Sequence, residues 1–323
     1  MLTLFQSKPV LKDLIPDNYI DIHSHLLPGI DDGAKTFADS LRLTNALQGF
    51  GTSQIITTPH IIQYFWENTS DIIKATEEVT SVDLKKNNVQ IPFRAAAEYM
   101  MDDYFVKLFQ SGTLLTLKDN YVLVEMSYLN APIQLYSILF DLQVAGYIPV
   151  LAHPERYTFY HNNFDEYAKL INAGCLLQLN LLSVVGYYGE RITELAKKLL
   201  KKGMYSFVRS DAHHDNHIAA FDKKVKLKDT TPLKEAIANN QFFRIEIDLK
   251  NRKVKSLKGF DLANNINANK IYFHNNTIYL ATDIGLLAVK ASELKIEKYN
   301  IPIYVSEIKI NDKIKTLQSR YIL

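Results

Sequence analysis

YIDIHSHLLPGIDDG, residues 19–33, begins as an apolar, β-branched run and ends in two histidines, a Pro-Gly turn and paired aspartates. As a strand it alternates its side chains between two faces, so His23 and His25 share one side, and the turn can bring Asp32 back towards them. The same design recurs. QIITT (54–58), FRAAAE (93–98), YVLVEM (121–126), IPVLA (148–152), LLQLN (176–180) and SFVRS (206–210) are short apolar runs. The segments between them, FADSLRLTNALQGFG, TSDIIKATEEVTSVDLKK, APIQLYSILFDLQVAG, FDEYAKLINAG and ERITELAKKLLKKG, have helical periodicity, and several close on a glycine. Seven strand–helix units imply an α/β fold with a parallel sheet. Strands that are apolar on both faces favour a closed barrel, with an open doubly wound sheet as the alternative.

From about residue 240 the pattern changes to period-two alternation in RIEIDLKNRKVKSL, NKIYFHNNTIYLATDIGLLAV and IPIYVSEIKINDKI, broken by Asn-Asn and Asn-Asp turns. This reads as a small all-β appendage of residues 246–323 behind a domain of residues 1–245, with the boundary falling somewhere in 240–255. Charge divides in the same way. Residues 1–223 carry 19 of the 37 basic side chains but 25 of the 35 acidic ones, so the tail is markedly basic. No apolar run has the length of a signal peptide or membrane span, so a cytoplasmic protein without membrane insertion is expected. The only cysteine, Cys175, rules out an internal disulfide and a cysteine-built zinc site.

Ligand-type side chains fall at the C-terminal ends of the strands: His23 and His25 after the first, His60 after the second, Glu98 and Glu125 ending the third and fourth, His153 after the fifth, and Asp211 and His213 after the last. In a βα barrel these ends converge on one face. Imidazole with carboxylate suits manganese, iron or zinc, and so many ligands exceed one tetrahedral ion, so two or three ions are expected. Singly, each residue also has a structural reading: a histidine as packing, Asp31 or Asp32 as a helix start, Glu125 as a buried acid.

DIHSH, a downstream DDG, TPH, a strand-end Glu, AHPER and SDAH together resemble the polymerase-and-histidinol-phosphatase (PHP) superfamily. HxHLLPGIDDGA, VEMSY, AHPERY and SDAHH more narrowly resemble the bacterial manganese-dependent protein-tyrosine phosphatases of capsular and exopolysaccharide synthesis, the CpsB/CapC type. The likeness covers about residues 15–235. It implies a PHP-type distorted (β/α)7 barrel and a trinuclear site. One ion would be held by His23, His25, Glu98 and Asp211, a second by Glu98, Glu125 and His153, and a third by Asp32, His60 and His213, with Asp31 behind the ligands or capping a helix. Arg156 matches a phosphate-contacting position; otherwise it would form a surface ion pair with Glu155. Two departures stand out: around SDAH, His214 and His217 occupy the place of a second arginine and Arg209 replaces a small residue, and at the chain end the closing helix that the resemblance implies is followed by strands.

The implied activity is hydrolysis of phosphotyrosine on a protein, in all likeness to the family the tail of a bacterial tyrosine kinase. It would proceed by in-line attack of a metal-bridging hydroxide, with Arg156 and the ions stabilising the equatorial oxygens, and with His213 or bound water protonating the leaving group. A cysteine phosphatase is excluded, because the sixth residue after Cys175 is Leu181 rather than Arg. Tyr64, Phe65, Trp66, Tyr99, Tyr128, Tyr157, Tyr187 and Tyr188 could stack on a phosphotyrosine ring or simply pack. The competing functions are histidinol-phosphate phosphatase and a non-catalytic metal-binding regulatory module. No nucleic-acid role is expected, while homo-oligomerisation and docking through the tail stay open. The tail's NTIYLATDIGLLAV weakly resembles a propeller blade of two-component sensors.

Overall fold

The computed structural model describes residues 8–112 and 114–239, and beyond them the strand segments 244–248, 253–258, 268–274, 277–282, 285–290, 307–310 and 313–316. The chain divides into two units, Met1–Gln241 and Phe242–Leu323. In the first, β1 (Tyr19–Asp21) leads to α1 (Phe37–Gly49), β2 (Thr52–Thr57), β3 (His60–Ile61), α2 (Ser70–Lys86), β4 (Phe93–Ala95), β5 (Glu98–Met100) and α3 (Asp103–Ser111). Then follow β6 (Tyr121–Glu125), α4 (Leu135–Val144), β7 (Ile148–Ala152), α5 (Asp165–Asn172), β8 (Leu176–Asn180), α6 (Glu190–Lys201), β9 (Tyr205–Arg209), α7 (Asp215–Ala220) and α8 (Thr231–Asn239).

These strands form two all-parallel sheets, β1-β2-β4 and β3-β5-β6-β7-β8-β9. The sheets share chain paths, since β2 resumes as β3 after Thr58-Pro59 and β4 resumes as β5 after Ala96-Ala97. Pro59 has no N–H to continue a ladder. Pairing passes across the breaks through Ala96 N to Thr57 O at 2.8 Å and Glu98 N to Pro59 O at 3.1 Å. At the other margin, Asp211 N donates to His23 O and His25 N to Ala212 O, both at 2.9 Å, around a parallel bridge between Ser24 and Ala212. The first and last strand paths therefore meet at their C-terminal ends.

All seven apolar runs carry these strand paths, and the five periodic segments carry α1, α2, α4, α5 and α6. Leu135, Ile138, Leu139 and Leu142 of α4 are buried towards β7, and Leu195, Ala196 and Leu199 of α6 are buried towards the turns at 154–156 and 181–185, as the stripe of apolar residues requires. Helices α3 and α7 have no counterpart among the expected helices, while α8 stands where a closing helix was expected before the strands. The signals for α3 were present in the caps: the Asp102 carboxylate accepts from Phe105 N, and Gly112 closes the helix at φ 78°. Six-residue α7 is too short to show a period.

The described strands of the second unit are β10 (Arg244–Asp248), β11 (Lys253–Lys258), β12 (Ala268–His274), β13 (Thr277–Thr282), β14 (Gly285–Lys290), β15 (Glu307–Ile310) and β16 (Lys313–Thr316). They pair antiparallel as β10-β11, β12-β13-β14 and β15-β16. The stretch likened to a propeller blade, NTIYLATDIGLLAV, falls on β13 and β14, which with β12 make a three-stranded antiparallel sheet. Among the described residues no helix is long and apolar enough to cross a membrane.

One cap bears directly on the loop that holds the paired aspartates. Thr36 Oγ1 accepts from Asp39 N at 3.3 Å while the Asp39 carboxylate accepts from Thr36 N at 3.0 Å, ending that loop and starting α1. Thr36→Ala should lower stability by about 1 kcal/mol. In calorimetry this is a midpoint lower by about 2–4 °C, and an unchanged midpoint would deny the cap any weight.

Candidate metal centre

Glu98 lies at the middle of the convergent strand ends and has no solvent exposure. His23 Nε2 is 3.2 Å from Glu98 Oε2 and 3.2 Å from Asp211 Oδ1. His25 Nε2 stands 3.4 and 3.6 Å from the same two oxygens and 3.3 Å from His23 Nε2. Donor atoms sharing an ion at bonds of about 2.1 Å sit about 3.0–3.4 Å apart in octahedral or tetrahedral arrangements, so these spacings are those of a shared ion. On its other side Glu98 Oε1 is 3.3 Å from His153 Nε2. His60 turns Nδ1 towards Glu98 Oε2 at 3.2 Å and Glu125 Oε1 at 2.8 Å, and Nε2 towards Asp32 Oδ1 at 3.4 Å; His213 Nε2 is 3.5 Å from the same Asp32 oxygen.

Four groups able to hold an ion follow: His23, His25 and Asp211; His23, Glu98 and His153; His60, Glu98 and Glu125; and His25, Asp32, His60 and His213. All nine residues expected as ligands are in these groups. Their partition differs from the expected one in that Glu125 sits with His60 rather than His153, and His25 joins Asp32, His60 and His213.

What orients the rings is visible on their far nitrogens. His23 Nδ1 meets Gln178 Oε1 at 2.6 Å, His25 Nδ1 meets Asp31 Oδ2 at 2.8 Å and His213 Nδ1 meets Asp211 O at 2.9 Å. Those partners only accept, so each Nδ1–H donates and each Nε2 faces the cluster, where an ion could replace its proton. Asp31 thus fixes His25 rather than capping a helix; its other oxygen accepts from Gly33 N. Gly33 is required here because a Cβ would lie 2.1 Å from His25 O. His153 and Asp211 both take left-handed backbone, φ 35° and 50°. Such strain costs of order 1–3 kcal/mol per residue and is kept where neighbours over-determine it.

Arg156 reaches Asp211 Oδ2 at 3.0 Å and lies between the rings of Tyr128 and Tyr188, 4.7 and 4.2 Å from their centroids. It does not pair with Glu155. That carboxylate is buried and accepts from Asn180 N, Ser183 Oγ and Tyr205 OH, anchoring the HPER turn to β8 and β9. Asn180 Nδ2 donates to Asp211 Oδ2 at 2.7 Å. Gln178 and Asn180 were missed as site residues. Their signal is in LLQLN, where two polar residues two apart on an apolar strand must share one face.

Electrostatics bind the cluster. Burial works against a charged His23, yet Glu98 and Asp211 push it up to about 10. His60 is likewise raised by Glu125 and Glu98 in spite of burial. Burial and the neighbouring His25 bring His213 down to about 3. Burial would raise Glu98, but His23 and His60 hold it well below the usual carboxylate range. Protons therefore supply the counter-charge that cations would otherwise provide. Both Glu98 oxygens, Glu125 Oε1, His60 Nδ1 and His153 Nδ1 are nevertheless buried without a hydrogen-bond partner; the 2.8 Å contact between His60 and Glu125 is close but not aligned as a bond. Buried carboxylate oxygens without donors call for a cation, and the donor set fits divalent ions.

The departures around SDAH are also placed. Arg209 is fully buried at the end of β9, drawn down to about 10 by burial and supported by Tyr19 and Asp21. His217 Nδ1 approaches Asp211 O at 3.0 Å, and its ring packs on His214 and Tyr187. Among the aromatic candidates, Tyr99 and Tyr157 are core residues whose hydroxyls accept from Leu115 N and Met126 N. Trp66 packs beneath Lys35, and Tyr64 and Phe65 face solvent. A cavity of about 530 Å³ between α2 and α3 contains none of the nine candidate ligands.

Comparison with known proteins places these observations in a lineage. A family model described as "Capsular polysaccharide synthesis, CpsB/CapC" matches residues 19–227. The tyrosine-protein phosphatase YwqE of Bacillus subtilis (strain 168) is 31% identical over 196 residues, 60% of this chain and 77% of that protein. The tyrosine-protein phosphatase CpsB of Streptococcus agalactiae serotype V is 30% identical over 203 residues, 60% of this chain and 83% of its own length. A structure from a crystallographic study of YwqE from Bacillus subtilis and CpsB from Streptococcus pneumoniae, described there as unique metal-dependent tyrosine phosphatases, superposes with a TM-score of 0.59 at 30% identity. It covers 62% of this chain and 81% of that one.

Because His23 keeps its proton up to about 10 in the metal-free cluster, ion uptake near pH 7 should release protons and affinity should rise with pH. Calorimetric titration of manganese in buffers of different ionisation enthalpy reads this directly; uptake without proton release would mean that the imidazoles are already neutral. Asp31→Asn should weaken manganese binding by about 10–100-fold, and an unaltered affinity would deny Asp31 its role on His25.

Proposed function

The chain belongs to the CpsB/CapC family of capsular polysaccharide synthesis, and on that premise we propose how it hydrolyses phosphotyrosine on proteins. It is a metal-dependent tyrosine phosphatase. The observation that carries the site assignment is Glu98, buried between His23, His25, His60 and His153 with neither oxygen hydrogen-bonded, while Arg156 is held on Asp211 of the same cluster. His23, His25, Asp32, His60, Glu98, Glu125, His153, Asp211 and His213 would hold two or three ions, manganese by family likeness, with iron or zinc also suited to these donors. Bound there, divalent ions neutralise phosphate charge and lower the pKa of a water near neutrality.

The chain's own groups do the rest. Arg156 presents a planar fork to the equatorial phosphoryl oxygens, kept in place by Asp211 Oδ2 and by the two tyrosine faces. Asp211 divides its labour: Oδ1 faces His23 and His25 while Oδ2 holds Arg156 and Asn180. His213 commits Nδ1–H to Asp211 O, so its Nε2 carries a lone pair, the form of a ligand and not of an acid. The tyrosinate departs with a pKa of about 10, a far easier leaving group than a serine alkoxide. Asp32, half exposed, marks the side open to substrate. Cys175 takes no part; burial pushes its thiol up to about 12.

The same reading takes the first unit as a distorted seven-stranded PHP-type barrel closed where Ser24 meets Ala212, and residues 246–323 as an appendage. Its substrate would be the tyrosine tail of a bacterial kinase in the cytoplasm, met by this chain alone or as a homo-oligomer.

The test is hydrolysis of a phosphotyrosine peptide, a phosphoserine peptide and histidinol phosphate by metal-stripped protein given manganese, iron or zinc. Metal-dependent turnover of the phosphotyrosine peptide alone is expected; preference for histidinol phosphate would move the protein to that activity. Arg156→Lys should raise KM and cut kcat/KM by about 10–100-fold, as loss of one preorganised bidentate donor does, whereas Cys175→Ser should leave turnover intact. The reverse pattern would return the chemistry to the thiol.

A further inference from the structure

The four most exposed large apolar side chains among the described residues are Tyr64 (81%), Phe65 (78%), Leu129 (85%) and Ile133 (98%). All four lie on two loops, those leaving β3 and β6, the strands that carry His60 and Glu125 into the metal centre. Scattered exposed apolar residues need no explanation, but their concentration at the mouth of one site does.

The first loop is built to present them. Ile62 N donates to Trp66 O at 3.0 Å and Trp66 N to Ile62 O at 2.9 Å, which closes a tight turn, and Tyr64 at its tip adopts φ 68°. A left-handed aromatic residue thrust into water is doubly unfavourable, so its retention points to use. The second loop places Leu129 and Ile133 just beyond Tyr128, whose ring lies against Arg156. Between them the topology leaves a low floor. The β3–α2 and β6–α4 connections span residues 62–69 and 126–134, whereas β5, which lies between β3 and β6, passes into α3 through Met101 and Asp102 alone. The two walls thus stand two strand spacings apart, about 10 Å, a width that admits an extended chain.

We propose that these loops form a specificity groove for phosphotyrosine polypeptides whose residues beside the phosphotyrosine are apolar, with Tyr64 and Phe65 on one wall and Leu129 and Ile133 on the other. This rests on the phosphatase reading above and adds the sequence class of its substrate. The occupant is a polypeptide because the groove leads to Arg156 and the half-exposed Asp32. Neither loop contains a lysine or arginine, and Glu67 is their only charge, which disfavours an anionic lipid surface. A turn fixed in advance costs little ordering on binding, the usual economy of an aromatic anchor.

The test uses the manganese-loaded full chain with two phosphotyrosine peptides of equal length, flanked on both sides by Leu or by Ser, and phenyl phosphate as a substrate too small to span the walls. The wild type should prefer the Leu-flanked peptide by about tenfold in kcat/KM, the scale of partly burying one large apolar side chain. Phe65→Ser with Leu129→Ser should abolish that preference through KM while phenyl phosphate turnover stays unchanged, and Phe65→Leu should retain it. Equal use of both peptides by the wild type overturns the proposal. So does an equal loss on phenyl phosphate, a change in oligomeric mass, or a change in binding to phosphatidylglycerol vesicles in place of the KM effect. Absence of turnover on every substrate, phenyl phosphate included, overturns the phosphatase reading along with the groove, whereas turnover without flanking preference removes the groove alone.

Discussion

Everything around the centre follows from placing Glu98 where water cannot reach it, among four imidazoles. A carboxylate in that position costs several kcal/mol unless compensated, and the surrounding backbone bends to provide compensation. β2 and β4 each break for two residues, so that His60 and Glu98 begin new short strands in a second sheet. Just beyond β7 and β9, His153 and Asp211 themselves take left-handed backbone, which turns both towards the same point. Regular strands would have carried these side chains past one another; the interruptions are the geometric cost of convergence.

Asp211 connects the charged centre to Arg156, the arginine proposed to meet phosphate. With one oxygen towards the imidazoles and the other holding Arg156 and Asn180, it makes the position of the guanidinium depend on that of the ligands. Glu155, buried three ways by Asn180, Ser183 and Tyr205, locks the turn that bears both His153 and Arg156. Neighbours in AHPER thus have opposite fates: a glutamate drawn inward as an anchor and an arginine left at the mouth between two tyrosine rings. A surface ion pair between them would have freed both.

The convergence of the candidate ligands was legible because their positions are a local property, a titratable residue at the end of an apolar run, and the parallel topology brings such ends together without further information. Cap chemistry would have revealed α3 equally locally. The contact of His60 with Glu125 and the service of Gln178 to His23 were not legible, and Asp31, expected behind the ligands or as a cap, could not be assigned to His25. They depend on which nitrogen of a ring turns inward, which is set by residues up to 155 positions away. Arg209 shows the same limit: its sequence neighbours mark it as unusual, but only the fold shows it buried near Tyr19 and Asp21, with the charge balanced inside the strands and no part of the phosphate site.

Charge balance also gives the metal-free cluster a definite pH dependence. In the metal-free cluster the raised His23 stabilises the fold fully below its unfolded pKa of about 6.5, and that contribution fades as pH climbs towards about 10. Glu98 and Asp211, held low by His23 and their other imidazole neighbours, act in the opposite sense, contributing above their ordinary range and losing it as pH falls. The metal-free centre is therefore held best in the acidic window between those ranges, where imidazolium and carboxylate coexist. Divalent ions compete best above it, where the imidazoles give up their protons. In the metal-free cluster protons thus take the place of metal ions as the counter-charge for one buried set of acids.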